Sequence, residues 1–153
     1  DYQFETPNGK VTLSSLFGER NELLLIHNMG TKCSYCTLWA DGFNGVIHHL
    51  ENRAAVAVIS PDSPEVQRAF ANDRGWRFKM VSGQSTTFSK DMQYADDKGY
   101  QPGVFAFKKD EKGQIFLTGR DTFGPGDFYC GTWYLYDLLP ARDWSPKFRY
   151  FGA

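Results

Sequence analysis

Long hydrophobic runs are missing from this chain of 153 residues. The longest are LLLI at positions 23–26 and AAVAVI at positions 54–59. Both are far shorter than the roughly 20 apolar residues that a transmembrane helix needs, so we expect no membrane partner. An excess of charge is missing too, since 17 Lys and Arg residues face 18 Asp and Glu residues. We therefore expect no nucleic-acid partner, because such a partner selects a basic surface.

Cysteine is also scarce, with three residues in the whole chain. A secreted domain stabilised by disulfides would carry more of them, in even number. The count favours a reducing compartment, and we expect the protein to be cytoplasmic. The sequence begins at Asp1 without an initiator methionine, which indicates a trimmed chain in which a targeting signal would go unseen.

The apolar and turn residues predict one α/β domain over residues 1–153. Apolar residues make up 41% of the chain and aromatic residues 16%, enough for a globular core. The predicted strands are NELLLIH, AAVAVIS, RFKMVSG, GVFAF and QIFLTG, after a hairpin in YQFETPNGKVTL and a helical turn in SSLFG. The predicted helices run from about Ser34 to about Glu51, from Pro64 to about Arg74 and over TWYLYDLL, whereas residues 84–101 are predicted as loop with at most one helical turn. This order implies a central mixed sheet with helices on both faces.

Two of the cysteines, Cys33 and Cys36, form a CxxC pair where a predicted strand passes into a predicted helix. The unpaired N–H groups and the dipole of a helix N-terminus stabilise a thiolate, and the neighbouring Lys32 adds positive charge. Cys33 would lie at the exposed helix start, with Cys36 one turn inside. This geometry predicts that Cys33 attacks a disulfide and that Cys36 resolves the mixed disulfide.

Two other interpretations of the pair remain. A zinc site needs about four ligands, and the pair supplies two of them. His48 would lie about 18 Å from Cys36 along the same predicted helix, so the two cannot share a zinc ion. His27 together with the pair could instead hold copper in a thiol-rich site. Both cysteines could also simply pack in the core, which suits Cys36 on its apolar helix face better than Cys33 in the polar stretch GTK.

Three further residues are candidates for the site. His27 ends the strand before the pair, where it could relay the proton of Cys36 or stabilise a thiolate, or serve a structural purpose. Thr31 could donate a hydrogen bond to a Cys33 thiolate. Pro102 stands immediately before the strand GVFAF, where spacing alone favours an ordinary trans proline at a strand start.

Two more residues have simpler interpretations. Arg120 follows the last predicted strand and is interpreted as a solvated residue, although it could lie beside the site. Cys130 stands among aromatic residues in GDFYCGTWY and is interpreted as a buried, inert thiol.

These motifs together resemble the thioredoxin fold: a strand, a CxxC pair at a helix start, a proline before a strand hairpin, and a closing helix. The stretch between Cys36 and Pro102 is longer than in a plain thioredoxin and resembles the extra strand and helix of peroxiredoxin-like proteins. More specifically, the chain resembles the domain-of-unknown-function 899 (DUF899) family of thioredoxin-like proteins. That resemblance is carried by VTLSSLFG, LLIHNMG, CSYCTLWADGFNG, HHL, GW at 75–76 and GTWYLYDLLPARDW. Members usually carry an additional N-terminal helical stretch, which we expect this chain to lack.

The resemblance implies a dithiol-disulfide oxidoreductase that needs no organic cofactor and acts on a protein disulfide or a small thiol substrate. It maps attack onto Cys33, resolution onto Cys36 and the substrate-facing position onto Pro102. For Pro102 it favours a cis bond that would expose the Gln101 backbone to an extended substrate. The Pro-x-x-x-Thr-x-x-Cys motif of peroxiredoxins is absent. A thiol peroxidase is therefore the enzymatic alternative, and a metal-holding or interaction module the non-enzymatic one.

Overall fold

The structure is a computed structural model that describes residues 1–141 and 143–146. The rest of the predicted domain, residues 142 and 147–153, lies outside the described residues. The strands are β1 (Gln3–Thr6), β2 (Gly9–Thr12), β3 (Glu22–His27), β4 (Ala55–Ser60), β5 (Lys79–Ser82), β6 (Ala95–Asp96), β7 (Gly99–Tyr100), β8 (Gly103–Lys109) and β9 (Ile115–Thr122). The helices are α1 (Ser34–Gly45), α2 (Ile47–Arg53), α3 (Pro64–Arg74), α4 (Phe88–Asp91) and α5 (Thr132–Tyr136), and a 3-10 turn spans Ser14–Phe17.

A mixed sheet of seven strands forms the centre of the molecule, in the order β2-β1-β5-β4-β3-β8-β9. Strands β3, β4 and β5 are parallel, whereas β1, β8 and β9 run antiparallel to their neighbours. Residues of α1, α2 and α5 pack into the apolar cluster on one face. Residues of the 3-10 turn and α4 pack into the cluster on the other face. The predicted α/β class, with helices on both faces of a mixed sheet, is therefore confirmed.

Strand β3 divides its side chains between the two clusters. Leu23 and Leu25 belong to one cluster and Ile26 to the other. Because side chains alternate along a strand, His27 faces the same side as Leu25. Its ring accordingly lies 6.0 Å from that of Phe105, centroid to centroid. The helix that carries Cys36 packs on the opposite face, with Ile26.

The helix predicted from about Ser34 to about Glu51 is broken in two. Helix α1 ends at Gly45, and Val46 leaves the helical region with φ −113° and ψ 15°. The break follows Gly45, and glycine is a poor helix former. Across the break Ile47 is buried while Val46 is 45% exposed. The closing helix is also shorter than predicted, since α5 covers only five residues. None of the helices within residues 1–141 and 143–146 is long and apolar enough to cross a membrane.

The segment of residues 84–101 contains more structure than its sequence predicts. It holds α4 and a separate two-stranded sheet of β6 and β7. Strands of two residues are too short to show the alternation of apolar and polar residues from which a strand is predicted. The segment brings Tyr94 against the first residue of β8, where a Cβ on Gly103 would lie 2.7 Å from Tyr94 Cε2 and 2.4 Å from Asp121 O. Glycine alone permits this contact, which fixes the segment beside the end of β3.

Candidate active site

Cys33 is the N-cap residue of α1, directly after the loop that follows β3. Its Sγ accepts a hydrogen bond from the backbone N–H of Cys36, with an N–S distance of 3.1 Å. Cys33 is partly exposed, whereas Cys36 is 2% exposed and packs in the core. Both thiols are free. The loop therefore presents one thiol to solvent at a helix start and holds the second directly behind it.

The surroundings of the two thiols separate their acidities. The hydrogen bond from the Cys36 side chain, aided by the N–H groups of Cys36 and Tyr35, lowers the pKa of Cys33 to about 7. The same hydrogen bond, burial and the negative charge of Cys33 raise the pKa of Cys36, although the N–H of Met29 donates to Cys36 Sγ at 3.4 Å. Cys33 is therefore the more acidic of the two thiols and ionises first.

We expect the rate of Cys33 alkylation by iodoacetamide to rise with pH through a midpoint near 7, because only the thiolate reacts. Cys36→Ala removes the strongest cause of the low pKa and should move this midpoint up towards about 8.5, the ordinary value for cysteine. Mass spectrometry of the reduced protein, quenched at intervals, gives both curves. A midpoint already near the ordinary value before substitution would contradict this account.

Asn28 and Asp62 hold the loop, and the sequence did not identify either of them. Asn28 Nδ2 donates to Cys36 O at 3.4 Å, while its Oδ1 accepts from Gly30 N at 2.7 Å. Asp62 Oδ2 accepts from Thr31 N at 2.8 Å. Gly30 has φ +101°, and a Cβ there would lie 2.8 Å from Asp62 Oδ2. The position of Asp62 just after β4, the parallel neighbour of β3, is the signal that could have identified it.

The structure gives Thr31 a different contact from the predicted one. Its backbone N–H binds Asp62, and in the described part of the chain no hydrogen bond joins the Thr31 hydroxyl to Cys33. A hydrogen bond from this hydroxyl to a Cys33 thiolate stays a prediction. Thr31 contributes to the shape of the loop through its main chain.

His27 is buried at the end of β3, with both of its ring nitrogens in hydrogen bonds. The ring is 1% exposed, with Nδ1 2.7 Å from Gln101 O and Nε2 2.7 Å from Ser89 Oγ. Because a carbonyl oxygen only accepts, Nδ1 carries the hydrogen and Nε2 accepts from the Ser89 hydroxyl. Burial lowers the pKa of His27 to about 4. Both ring nitrogens are therefore engaged within the chain, and a role for His27 as a proton relay stays a prediction.

The cis bond expected at Pro102 is absent, because the described residues contain no cis peptide bond and that before Pro102 is trans. The preceding Gln101 donates its N–H to Tyr94 O at 2.8 Å and offers its carbonyl to His27. The Gln101 backbone is therefore already paired within the chain and is not free for an extended substrate. Pro102 itself lines the same narrow space as Cys36.

The two remaining candidates lie on different sides of the sheet. Arg120 donates to Met92 O at 2.7 Å, and its guanidinium lies 5.3 Å from the ring centroid of Tyr94. Cys130 is buried in the apolar cluster that contains Trp133 and Cys36. Among residues 1–141 and 143–146, no three His, Cys, Asp or Glu side chains are grouped as metal ligands.

Comparison with known proteins places this site in a family and a fold. A family model described as "Bacterial protein of unknown function (DUF899)" matches residues 1–145. No curated protein matches the chain by sequence. Among solved structures, the chain is similar to the bacterioferritin comigratory protein of Xanthomonas campestris, with 17% identity, coverage of 78% of this chain and 79% of that chain, and a TM-score of 0.64.

Two further structures agree with this result. Prx3 of Vibrio vulnificus is 16% identical over 82% of this chain and 84% of that chain, with a TM-score of 0.64. The peroxidoxin BcpB of Mycobacterium tuberculosis is 19% identical over 78% and 79%, with a TM-score of 0.63. At these identities the likeness establishes the fold, which is thioredoxin-like with a peroxiredoxin-like insertion, as predicted.

Proposed function

The chain belongs to the DUF899 family of bacterial proteins of unknown function, as the resemblance predicts, and we propose that it is a dithiol-disulfide oxidoreductase. One observation carries the proposal: a partly exposed thiol at a helix start accepts a hydrogen bond at 3.1 Å from the N–H of a buried second cysteine. Cys33 is the nucleophile and Cys36 the resolving thiol. A protein disulfide or a small disulfide is the substrate, and no organic cofactor takes part.

The reaction is a two-step exchange. The Cys33 thiolate attacks one sulfur of the substrate, so that a mixed disulfide forms while the substrate S–S bond breaks and releases one thiolate. Cys36 then loses its proton and attacks Cys33 Sγ, which forms the Cys33–Cys36 disulfide and releases the second thiolate. Both released thiolates take up protons. The substrate gains two electrons and the protein loses two, and a dithiol reductant restores the pair.

The first step prepares the second. The hydrogen bond to Cys33 and the negative charge of Cys33 are among the causes that raise the pKa of Cys36. Both disappear once Cys33 Sγ is bonded to the substrate. The pKa of Cys36 therefore falls when its thiolate is needed, and the attacking and attacked sulfurs are already neighbours.

Equilibration in glutathione redox buffers tests this function. After alkylation of free thiols, mass spectrometry maps which cysteines are oxidised at each potential. We expect a reversible Cys33–Cys36 disulfide with a potential between about −300 and −120 mV, the range of known thiol-disulfide catalysts. If both thiols stay reduced at every ratio and alkylate slowly at pH 7, the pair is structural and the proposal fails.

A thiol peroxidase is the second candidate, favoured by what the similar structures are known for. The Xanthomonas campestris protein is described by its alkyl peroxide reduction activity, and Vibrio vulnificus Prx3 was solved with hydrogen peroxide. Here the Cys33 thiolate would attack a peroxide oxygen, break the O–O bond and become a sulfenic acid, with release of an alcohol or water. The Cys36 thiol would then close the disulfide and release water. Faster oxidation of Cys33 by hydrogen peroxide than by a small disulfide at equal concentration would favour this candidate.

We also propose that residues 1–153 form one domain that works in the cytoplasm. Support comes from the small number of cysteines, which a secreted domain stabilised by disulfides would exceed. A dithiol couple is reset by reducing partners, which that compartment supplies. Fractionation of cells that express the full-length protein tests this location.

A further inference from the structure

A cleft of about 480 Å³ opens where the β6–β7 hairpin faces the loop after β3. Its volume is that of a small-molecule site, which typically measures about 300–1,000 Å³. The side chains that matter below are Met29, Tyr94, Lys98, Tyr100 and Arg120.

The cleft shares two segments with the cysteine pair. Met29 lines the cleft, and its backbone N–H is the donor to Cys36 Sγ at 3.4 Å. Gln101 also lines the cleft, and the next residue, Pro102, lines the narrow space around Cys36. A molecule in the cleft is therefore held next to backbone that contacts Cys36.

The walls of the cleft are built before any ligand arrives. Tyr94 is 4% exposed, and its carbonyl accepts from Gln101 N. His27 fixes the Gln101 carbonyl from behind, with its ring 6.0 Å from the ring of Tyr100, centroid to centroid. These contacts hold two tyrosine rings and a backbone segment in place, which reduces the entropy lost on binding.

The charges of the lining select the ligand. Lys98 and Arg120 are cationic and Asp96 is the acidic residue of the lining, so the cleft has a positive balance. Arg120 is held by Met92 O and the Tyr94 ring, yet a guanidinium has five N–H donors and keeps others for a carboxylate. The Tyr100 ring, in a residue that is 39% exposed, supplies apolar surface for an aliphatic chain.

We propose that this cleft binds the non-reacting part of the substrate, and that the substrate is a small disulfide bearing carboxylates. Arg120 is the main anchor, with Lys98 as a second cation. This inference rests on the proposed oxidoreductase function, because it names the substrate class of the same site.

The test compares two small disulfides that differ in charge. Reduced protein, freed of reductant, is mixed with glutathione disulfide, which is anionic, or with bis(2-hydroxyethyl) disulfide, which is neutral. Acid quenching and alkylation give the second-order rate constant for Cys33–Cys36 oxidation. Arg120→Gln should lower the constant for glutathione disulfide about tenfold, the size of one charge-assisted hydrogen bond, and change that for the neutral disulfide less than about twofold.

Further variants distinguish the loss of the Arg120 charge from a general loss of folding. Arg120→Lys should recover part of the lost rate, and Lys98→Gln should give a smaller loss with the same preference for the anionic substrate. Lys112→Gln, in the distant turn between β8 and β9, removes a charge far from the cleft and should change neither constant. Calorimetric titration of the Cys33→Ser protein with glutathione disulfide should show the same weakening on Arg120→Gln, without any reaction.

The possible outcomes distinguish a failure of this inference from a failure of the proposed oxidoreductase function. If neither the two small disulfides nor a protein disulfide such as that of insulin oxidises the pair, the oxidoreductase proposal itself fails. If both disulfides react and Arg120→Gln slows them equally or not at all, only the cleft inference is overturned. Reaction with a protein disulfide such as that of insulin, but with neither small disulfide, also overturns the small-substrate inference while the oxidoreductase function stands.

Discussion

Cys33→Ser is expected to reduce the rate of disulfide reduction by at least about 10³-fold, because a hydroxyl in this position is not ionised near neutral pH and cannot form the mixed disulfide. The site offers no substitute, since Cys36 is 2% exposed and its pKa is raised. The measurement is the rate of oxidation of the reduced protein by bis(2-hydroxyethyl) disulfide, chosen because it carries no charge.

Cys36→Ser should block the second step, in which the mixed disulfide is resolved. Cys33 should still react at a rate within about tenfold of the unaltered protein, but the reaction should stop at a stable Cys33–substrate adduct visible by intact mass. Cys130→Ser is the matched control. It removes a buried thiol that no step uses and should leave the rate unchanged. Turnover that survives Cys36→Ser but is lost on Cys130→Ser would assign resolution to Cys130 and contradict the CxxC mechanism.

The fold was predictable wherever a local pattern decides the structure. Strands β3 and β4 carry continuous apolar runs, and the sequence Ser63-Pro64-Glu65 supplies both the N-cap and the first turn of α3. Gly75 ends that helix in the left-handed region with φ +71°. These signals lie within a few residues of the element they specify, so no long-range information is needed.

The errors fall where distant contacts decide. The apolar spacing continues through Val46, so the spacing alone does not predict that the helix breaks there. The break depends on which side chain packs against the sheet. The segment that holds the β6–β7 hairpin is positioned by the contact of Tyr94 with Gly103, which joins two separate stretches of the chain. The shortened α5 leaves Leu138 and Leu139 exposed although their spacing fits a buried face. In each case tertiary packing overrides the local preference.

The candidate site also divides into features that local sequence determines and features that distant contacts determine. The CxxC spacing at a strand-helix junction was enough to place the two thiols and to order their acidities, because the helix start acts locally. The contacts of His27, Thr31 and Pro102 could not be predicted in the same way. Each depends on a partner more than 20 residues away along the chain: Gln101 for His27, Asp62 for Thr31, and the Phe123 N–H that donates to Pro102 O for Pro102.

His27 should make the protein less stable as the pH falls from about 6.5 to about 4. Burial lowers the pKa of the folded-state ring to about 4, whereas in the unfolded chain it is near 6.5. Between these values the unfolded state binds a proton that the folded state does not, so the free energy of unfolding decreases with decreasing pH. The stability is complete above pH 6.5, and about 3 kcal/mol is lost by pH 4.

The matched variant is His27→Gln, whose amide can donate to Gln101 O and accept from Ser89 but does not titrate. Urea unfolding of the reduced proteins at pH 7 and pH 5 gives the four free energies. The unaltered protein should lose about 2 kcal/mol more than the variant over this interval, because the contributions of the carboxylates are common to both and cancel. Equal losses would mean that the ring already takes up its proton in the folded state. The hydrogen bond from Nδ1 to Gln101 would then not require a neutral imidazole, and the wall behind the cleft would carry a charge.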